Sequence, residues 1–449
     1  MKTTRREFIK GAAVAGAAFV VPNIFTKSLF GAAAPNSRVN VAQIGCGGIG
    51  TGYHINTLKP MADVRIVAVA DAYKSRRDKA AAGLNQHYGE KDMVKAYADF
   101  REILARRDVD AVIIGVHDHW HIPMSIAALK AGKDVYCQKP LAVDWDLCKS
   151  LRAAFRNSGR VFQFGTQYRS MGSYRLMVEL VRNGYIGQLK HIDQWCRGVA
   201  WNASAYHVKP YGSATPAPVP ADLDYDMWQG PAPMVPYTVD RCTNWGGYHC
   251  PETSLGFIAG CGIHELGIVQ WGNKSDHTSP IRYEGSGEFP KEGIYRTLAK
   301  WDVKCTYENG VTLRMMDVET AKDTCQKYLG GPPRFDGTIF HGTEGWISVA
   351  NGHQCSNQKL WKTEFKSTDE RLPVSPEHNR NFIDCVKSRK ETMCPVEMAI
   401  RADTICHLAI AAVKTGRVIH WDPVREQIIG DTRAARMLTR PYRSKWRVW

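Results

Sequence analysis

Val39-Asn40-Val41-Ala42-Gln43-Ile44-Gly45-Cys46-Gly47-Gly48-Ile49-Gly50 is the stretch on which the reading of this chain turns. Val39, Val41 and Ile44 predict a strand. Gly45, Gly47 and Gly50 follow it with the spacing G-x-G-x-x-G. A strand that feeds such a turn and then a helix is how a chain grips a dinucleotide pyrophosphate. The first glycine permits the tight turn, the second lets the backbone approach the phosphates, and the third lets the helix pack closely on the sheet. The helix N–H groups and dipole then face the negative charge. Gly45, Gly47, Gly48, Ile49 and Gly50 are the candidate pyrophosphate contacts. Alone the pattern is common, so its weight depends on its surroundings.

Downstream, a helix to about Leu58 precedes a second strand, Val64 to Ala70, which ends at Asp71. An acid at the tip of this strand accepts hydrogen bonds from the adenosine ribose hydroxyls and repels a 2′-phosphate. NAD is therefore the expected cofactor. Lys74, Arg76 and Arg77 soften that preference and leave NADP open. Asp99 is placed to cap a helix Phe100 to Ala105, with Glu102 in capping-box position. Val109 to Val116 is a continuous apolar run, as in a parallel strand buried on both faces. It runs out into His117-Asp118-His119-Trp120-His121-Ile122-Pro123. Three alternating histidines invite a metal, but no carboxylate or cysteine cluster accompanies them in sequence, so no metal is expected. The preferred reading puts His117 and His119 beside the nicotinamide and His121 toward the substrate. A helix Ser125 to Ala131, a strand Lys133 to Cys137, a helix Asp144 to Asn157 and a strand Val161 to Phe164 continue the alternation. It predicts an α/β chain with a doubly wound Rossmann domain over 37–165, its ligands at the carboxyl ends of the strands.

The N-terminal stretch Thr4-Arg5-Arg6-Glu7-Phe8-Ile9-Lys10 fits a twin-arginine export signal, with Gly11 to Val21 as its short apolar region. Cleavage is expected after Ala34, and an uncleaved anchor is the alternative. The predicted location is periplasmic or otherwise extracytoplasmic. This route exports folded proteins, so a nucleotide would be bound before export. No later segment is apolar enough for stable membrane insertion. The formal charge of +15 becomes +11 once a presequence with five cations and one anion is removed. Lys and Arg are dispersed, which describes a solvated basic surface rather than a nucleic-acid groove. Thirteen cysteines without a C-x-x-C pair read as buried, reduced thiols.

The Gly45 turn, Asp71, the His117–Pro123 segment and Gln138-Lys139-Pro140 together resemble the Gfo/Idh/MocA oxidoreductases, the glucose–fructose oxidoreductase and inositol dehydrogenase group. The family hallmark is Glu-Lys-Pro, and this chain has Gln-Lys-Pro. The resemblance implies that Lys139 contacts the reacting hydroxyl and that Gln138 lies at the cofactor. It also implies that Gln167 reaches the cofactor while Tyr168 and Arg169 hold sugar hydroxyls. Beyond residue 166 it implies an α+β domain, to about residue 420, with a large, mostly antiparallel sheet. One face of that sheet would cover the cofactor and the other would form a homo-oligomer, dimer or tetramer. Residues 421–449 would be a wrapping tail. Asn309-Gly310 between two alternating runs is an independent hairpin signal within this domain.

Trp201 to Tyr248 is long, aperiodic and aromatic, as functional loops are. Tyr206, His207, Tyr248 and His249 are its candidate substrate contacts, by stacking on sugar rings. His264 matches the family histidine, and Gly260 stands where the family has aspartate. Lys139 and His264 are thus the expected catalytic pair, with Lys139 polarising the substrate oxygen and His264 exchanging its proton. The expected activity is oxidation of a CH–OH group of a sugar, polyol or glycoside with tightly held, internally recycled NAD. An NAD-dependent glycosidase working by oxidation and elimination, and a nucleotide-loaded sugar-binding protein without catalysis, are the alternatives.

Overall fold

The computed structural model describes residues 38–199, 211–243 and 245–447. The twin-arginine segment, Tyr206 and His207 lie outside the described residues. Val39–Trp449 forms one compact unit.

Its N-terminal sheet has strands β1 (Val39–Ile44), β2 (Val64–Ala70), β3 (Lys95–Tyr97), β4 (Ala111–Ile114), β5 (Asp134–Cys137) and β6 (Phe162–Phe164). All are parallel, in the order β3-β2-β1-β4-β5-β6. The order reverses direction between β1 and β4, and a crevice opens there at the carboxyl ends. β4 and β5 are buried at every position, as continuous apolar runs require when helices cover both faces.

The C-terminal domain is built on a nine-stranded sheet ordered β13-β12-β11-β7-β10-β9-β8-β14-β15. Its strands are β7 (Leu189–Cys196), β8 (Arg282–Glu288), β9 (Lys300–Thr306), β10 (Thr312–Asp317), β11 (Gly337–Gly342), β12 (Trp346–Ser348), β13 (Gln354–Cys355), β14 (Ile419–Asp422) and β15 (Gln427–Ile429). Every pairing is antiparallel except β7 with β10. β9 and β10 turn at Asn309-Gly310, with Gly310 at φ +83°.

Two expectations are corrected here. Trp421 is not in a tail but in β14, 1% exposed and edge-on to Trp145 at 5.1 Å. The sheet does not cover the cavity either: no residue of β7–β15 lines it. Ile192, Cys196, Val303, Cys305, Leu313 and Met315 are all buried on this sheet. They belong to the same apolar core as the helices Gly262–Gly272 and Val396–Thr415, which occupy that face. Burying apolar side chains against helices is worth about 25 cal/mol per Å², and the polar groups on that face, Gln194 and Thr338, are buried there too, Thr338 donating to Glu265 of the first helix at 2.7 Å.

Candidate active site

A cavity of about 400 Å³ lies at the carboxyl ends of β1, β2 and β4. The glycine turn forms its floor. Gly45 has φ +92°, and a Cβ there would stand 2.2 Å from the Gly115 carbonyl oxygen. A Cβ at Gly50 would stand 2.0 Å from the Gly45 oxygen. At both positions only glycine lets backbone meet backbone. Gly48 has open space beside it, and Gly47, Gly48 and Ile49 line the cavity. The helix after the turn opens as a π-helix, Gly50–Ile55, before one α-turn, Asn56–Leu58.

Asp71 closes one end. Its Oδ2 accepts the Cys46 N–H at 2.7 Å and its Oδ1 accepts the Tyr73 N–H at 2.8 Å. Burial pushes its pKa up, while the two N–H groups and then Arg76 and Arg77 oppose the rise. Arg76 lies over the Tyr73 ring, 4.0 Å from its centroid, and lines the cavity beside Asp71.

The His117–Pro123 segment does not extend as a strand. A helix begins at Asp118 and runs to Lys130, with Pro123 inside it. Pro123 removes only the bond its N–H would give the His119 carbonyl. Helical geometry turns each residue by about 100°, so alternate residues no longer share a face. His117 lines the cavity, edge-on to Trp228 at 4.9 Å, and burial followed by His119 pushes its pKa down to about 3. His119 and His121 do not line it, which corrects the expectation for both. His119 bonds the Trp228 carbonyl through Nε2 at 3.0 Å. The His121 ring nitrogens face the Pro140 and Val116 carbonyls. Burial holds His121 near pKa 4, so the neutral ring donates to one of them at a time.

Lys139 reaches the cavity at the exit of β5. Its Nζ donates to the Gly260 carbonyl oxygen at 2.7 Å and stands 5.5 Å from the Tyr248 ring centroid. Where the family places an aspartate side chain, this chain offers a backbone carbonyl. Tyr248 fills the space beside it, since a Cβ at Gly260 would sit 3.2 Å from Tyr248 Cδ1. Gln138 also lines the cavity, with its amide nitrogen donating to His54 Nε2 at 2.9 Å.

His264 lies outside the cavity lining. Its ring stacks on Tyr168 at 4.8 Å, and Tyr168 stacks on Tyr174 at 4.8 Å. Burial, then the charges of Lys139 and Arg197, drive its pKa well below the ordinary value. The imidazole is therefore neutral, and its buried Nδ1 has no partner among the described residues. The neutral ring has a lone pair to offer, but burial and the neighbouring cations both oppose its protonation.

Tyr168, Arg169, Gln167 and His249 do not line the cavity, which corrects the expectation for each. Arg169 is 3% exposed and forks onto Asp276 at 2.9 and 2.6 Å, so structural pairing occupies the side chain expected to hold sugar hydroxyls. His249 packs between Phe257 and Tyr295 at 4.7 and 5.4 Å. Trp228, Trp245 and Tyr248, aromatics of the long loop, do line the cavity, and Phe100, Trp120 and Met227, which the sequence does not mark as site residues, wall it as well. Trp120 follows a predicted strand and Met227 lies in the long loop, but neither they nor Phe100, at the head of a predicted helix, carry a signal of their own. Asp118 carries no sequence signal of its own. It is 2% exposed, accepts the Ser254 hydroxyl at 2.5 Å, and burial raises its pKa to about 7 against the opposing charge of Lys139.

This geometry can be set beside known proteins. Residues 39–166 match the NAD-binding Rossmann fold of the GFO/IDH/MocA oxidoreductase family, and residues 175–448 match its C-terminal alpha/beta domain. The chain is 29% identical over 208 residues to glycosyl hydrolase family 109 protein 1 of Shewanella sp. strain ANA-3, covering 42% of this chain and 44% of that protein. It is 32% identical over 146 residues to inositol 2-dehydrogenase of Salmonella typhimurium, covering 32% of this chain and 42% of that protein. The match thus spans under half the length of either relative. The aldose-aldose oxidoreductase of Caulobacter crescentus, solved with glycerol, superposes with a TM-score of 0.59 at 15% identity, over 85% of this chain and 99% of that one. At that identity the likeness shows the fold. The glycine turn, the strand order and the two matched regions agree, and the chain is a member of the Gfo/Idh/MocA oxidoreductase family, with that family's NAD-binding Rossmann domain followed by its α/β domain.

Proposed function

We propose that this chain oxidises a CH–OH group of a sugar, polyol or glycoside, and that it keeps and recycles its NAD in place. The observation that carries the reading is Lys139, presented to the cavity at the strand exit by the Gly260 carbonyl, with neutral His264 close enough to feel its charge. Gly45, Gly47, Gly48, Ile49 and Gly50 would hold the pyrophosphate, with Asp71 and Arg76 at the ribose end. The open space beside Gly48, against the crowding at Gly45 and Gly50, fits a phosphate chain on this floor. NAD supplies the hydride acceptor. Lys139 would orient the substrate hydroxyl and stabilise the oxygen as its proton leaves. His264 lies outside the cavity lining, so the proton would reach its ring nitrogen only by way of Lys139, against the burial that keeps the ring neutral. Trp228, Trp245 and Tyr248 would exclude water and stack on the sugar face.

Replacing Lys139 by Ala is expected to lower turnover by about 10³-fold, in the range for general acid–base groups, while leaving NAD bound. NADH absorbance in a single turnover reads the first and nucleotide content after gel filtration reads the second. Near-normal turnover in K139A would sink the assignment.

A second reading is an oxidation–elimination glycosidase, supported by the glycosyl hydrolase family 109 relative. A panel of p-nitrophenyl glycosides with products read by NMR separates the two: a keto sugar in the first, free sugar and phenol in the second. Absence of any nicotinamide reduction with every sugar would favour a nucleotide-loaded binding protein instead. We also infer export from the Arg5-Arg6 signal, as a nucleotide scarce outside the cytoplasm is best carried out already bound. Export that persists in an Arg5→Lys, Arg6→Lys double variant would argue against this route.

A further inference from the structure

A short stretch of the long loop walls the cavity, and the C-terminal end of the chain fastens it there. Met227 and Trp228 belong to a one-turn helix, Tyr225–Gln229, and both line the cavity. Any ligand as long as a dinucleotide that enters or leaves past this wall must displace the segment.

Three sets of ties hold it. At the Asp71 end, Asp222 accepts the Ser75 N–H at 2.7 Å and the Ser75 hydroxyl at 2.5 Å, while the Asp224 N–H donates to the Ala72 carbonyl at 3.0 Å. In the middle, Trp120 Nε1 donates to the Met227 carbonyl at 3.0 Å. At the far end the ties come from the last residues of the chain. Arg443 donates to Asp226 Oδ1 at 2.5 Å, to the Asp226 carbonyl at 3.1 Å and to the Gly230 carbonyl at 2.8 Å. Its own N–H donates to the Pro231 carbonyl at 2.9 Å. Lys445 adds a contact to Asp226 Oδ2 at 2.6 Å. Trp446 stands edge-on to Trp120 at 5.7 Å, behind the cavity wall.

Leu223, Trp228, Tyr237 and Cys242 form a small apolar cluster separate from the main core. Most of the remaining hold is hydrogen bonds and one partly exposed ion-pair set, with Arg443 at 21% and Asp226 at 37% side-chain exposure. Such contacts are individually modest. Met227, Trp120 and Trp446 also pack in the main apolar core, so release of the segment gives up that packing as well.

We infer that the segment Arg440–Trp446 is a latch on the dinucleotide site, setting how fast the nucleotide enters and leaves. Arg443 is a positioning residue in it, acting through the segment 226–232 and not through the nucleotide. The inference rests on the reading of the cavity as an NAD site. It explains how a chain of this family would keep its nucleotide through many turnovers without additional contacts to the nucleotide itself.

The test uses the full chain and NADH, followed by nicotinamide fluorescence in stopped flow. Arg443→Ala and Asp226→Asn are both expected to speed association and dissociation together, by about tenfold, the factor given by about 1.4 kcal/mol. The dissociation constant should change by less than about threefold, since a latch affects both directions alike. Lys445→Ala is a milder variant on a side chain 70% exposed, which folding does not need, and should speed both rates by a smaller factor. Unchanged rates in all three variants overturn the latch. So does faster dissociation with unchanged association, which marks a lost contact and not a gate. A wild-type chain that binds no dinucleotide overturns the cavity reading itself, whereas a wild-type chain that binds NADH slowly beside variants that do the same overturns only the latch.

Discussion

Gln138 and His54 together set what charge stands behind Lys139. The Gln138 amide nitrogen can only donate, so His54 Nε2 must be unprotonated to accept it. His54 Nδ1 then carries the proton and donates to Asn379 Oδ1 at 2.8 Å. Burial agrees, pushing His54 down to a pKa of about 3. The family glutamate at this position would instead call for a donor from His54. Gln138→Glu is therefore expected to raise the His54 pKa by well over a unit and to place a charged pair behind the lysine. Nitrogen-15 NMR of the imidazole checks it, and a ring that stays neutral with the same tautomer at pH 5 would refute it. At the turn, Gly45→Ala meets both a left-handed φ and the Gly115 carbonyl at 2.2 Å. Strain and overpacking together should remove about 3 kcal/mol or more of stability, read as a lower denaturant midpoint. Loss under about 1 kcal/mol would mean that β4 yields more easily than a parallel central strand should.

Individual elements show where local rules sufficed and where they did not. The cap at Asp99 is legible from sequence because capping is local: its carboxylate accepts the Arg101 N–H at 2.9 Å. The start of the helix Asp118–Lys130 is not. Pro123 and the alternating histidines are local signals for an ending strand, and both are overruled by what the first turn packs against. Trp120 lies between Phe100 and Trp446, at 5.3 and 5.7 Å. Asp224 is the same kind of cap as Asp99, accepting the Met227 N–H at 2.9 Å at the head of the helix that carries Trp228. Asp224→Ala should cost about 1 kcal/mol and raise hydrogen exchange at Met227 and Trp228 ahead of the global rate. Exchange that rises only with global unfolding would show the segment and the core to be one cooperative unit.

The whole molecule carries an acid sensitivity that follows from its buried histidines. Seven of them (His54, His117, His119, His121, His249, His264 and His378) have pKa values lowered by burial. Each is neutral in the fold and binds a proton on unfolding below its ordinary pKa near 6.5, so each contributes stability that is lost as pH falls from there. Four buried acids, Asp71, Asp118, Asp144 and Glu265, have raised pKa values and act the other way, losing stability as pH rises. Each proton is worth about 1.4 kcal/mol per pH unit. Seven against four leaves the histidines dominant, so stability should fall steeply from about pH 6.5 toward pH 4. A melting temperature that is flat over this interval would contradict the burial of these rings. The thirteen cysteines are all buried and unpaired. Burial raises their thiol pKa values, for example to about 12 at Cys137 and Cys261, which suppresses the reactive thiolate. Reductant should leave the melting temperature unchanged. A thiol reagent should find nothing until denaturant is added, and a rapidly titrating thiol in the native chain would refute this.

By itself the sequence determined the parallel sheet, the glycine turn, Asp71 at the tip of β2, and the family. These depend on short-range facts: hydrophobic period, turn chemistry, and spacing within one strand–turn–helix unit. It also determined that Lys139 stands at a strand exit. Only the tertiary structure decided what meets Lys139, because Gly260 is 121 residues away and the Gly260 carbonyl is invisible to any pattern of side chains. For the same reason it alone placed Arg169 with Asp276 and Arg443 with Asp226, pairs 107 and 217 residues apart. An arginine looks alike in sequence whether it awaits a substrate or is already taken. Which of these it is depends on the carboxylate that folding brings beside it.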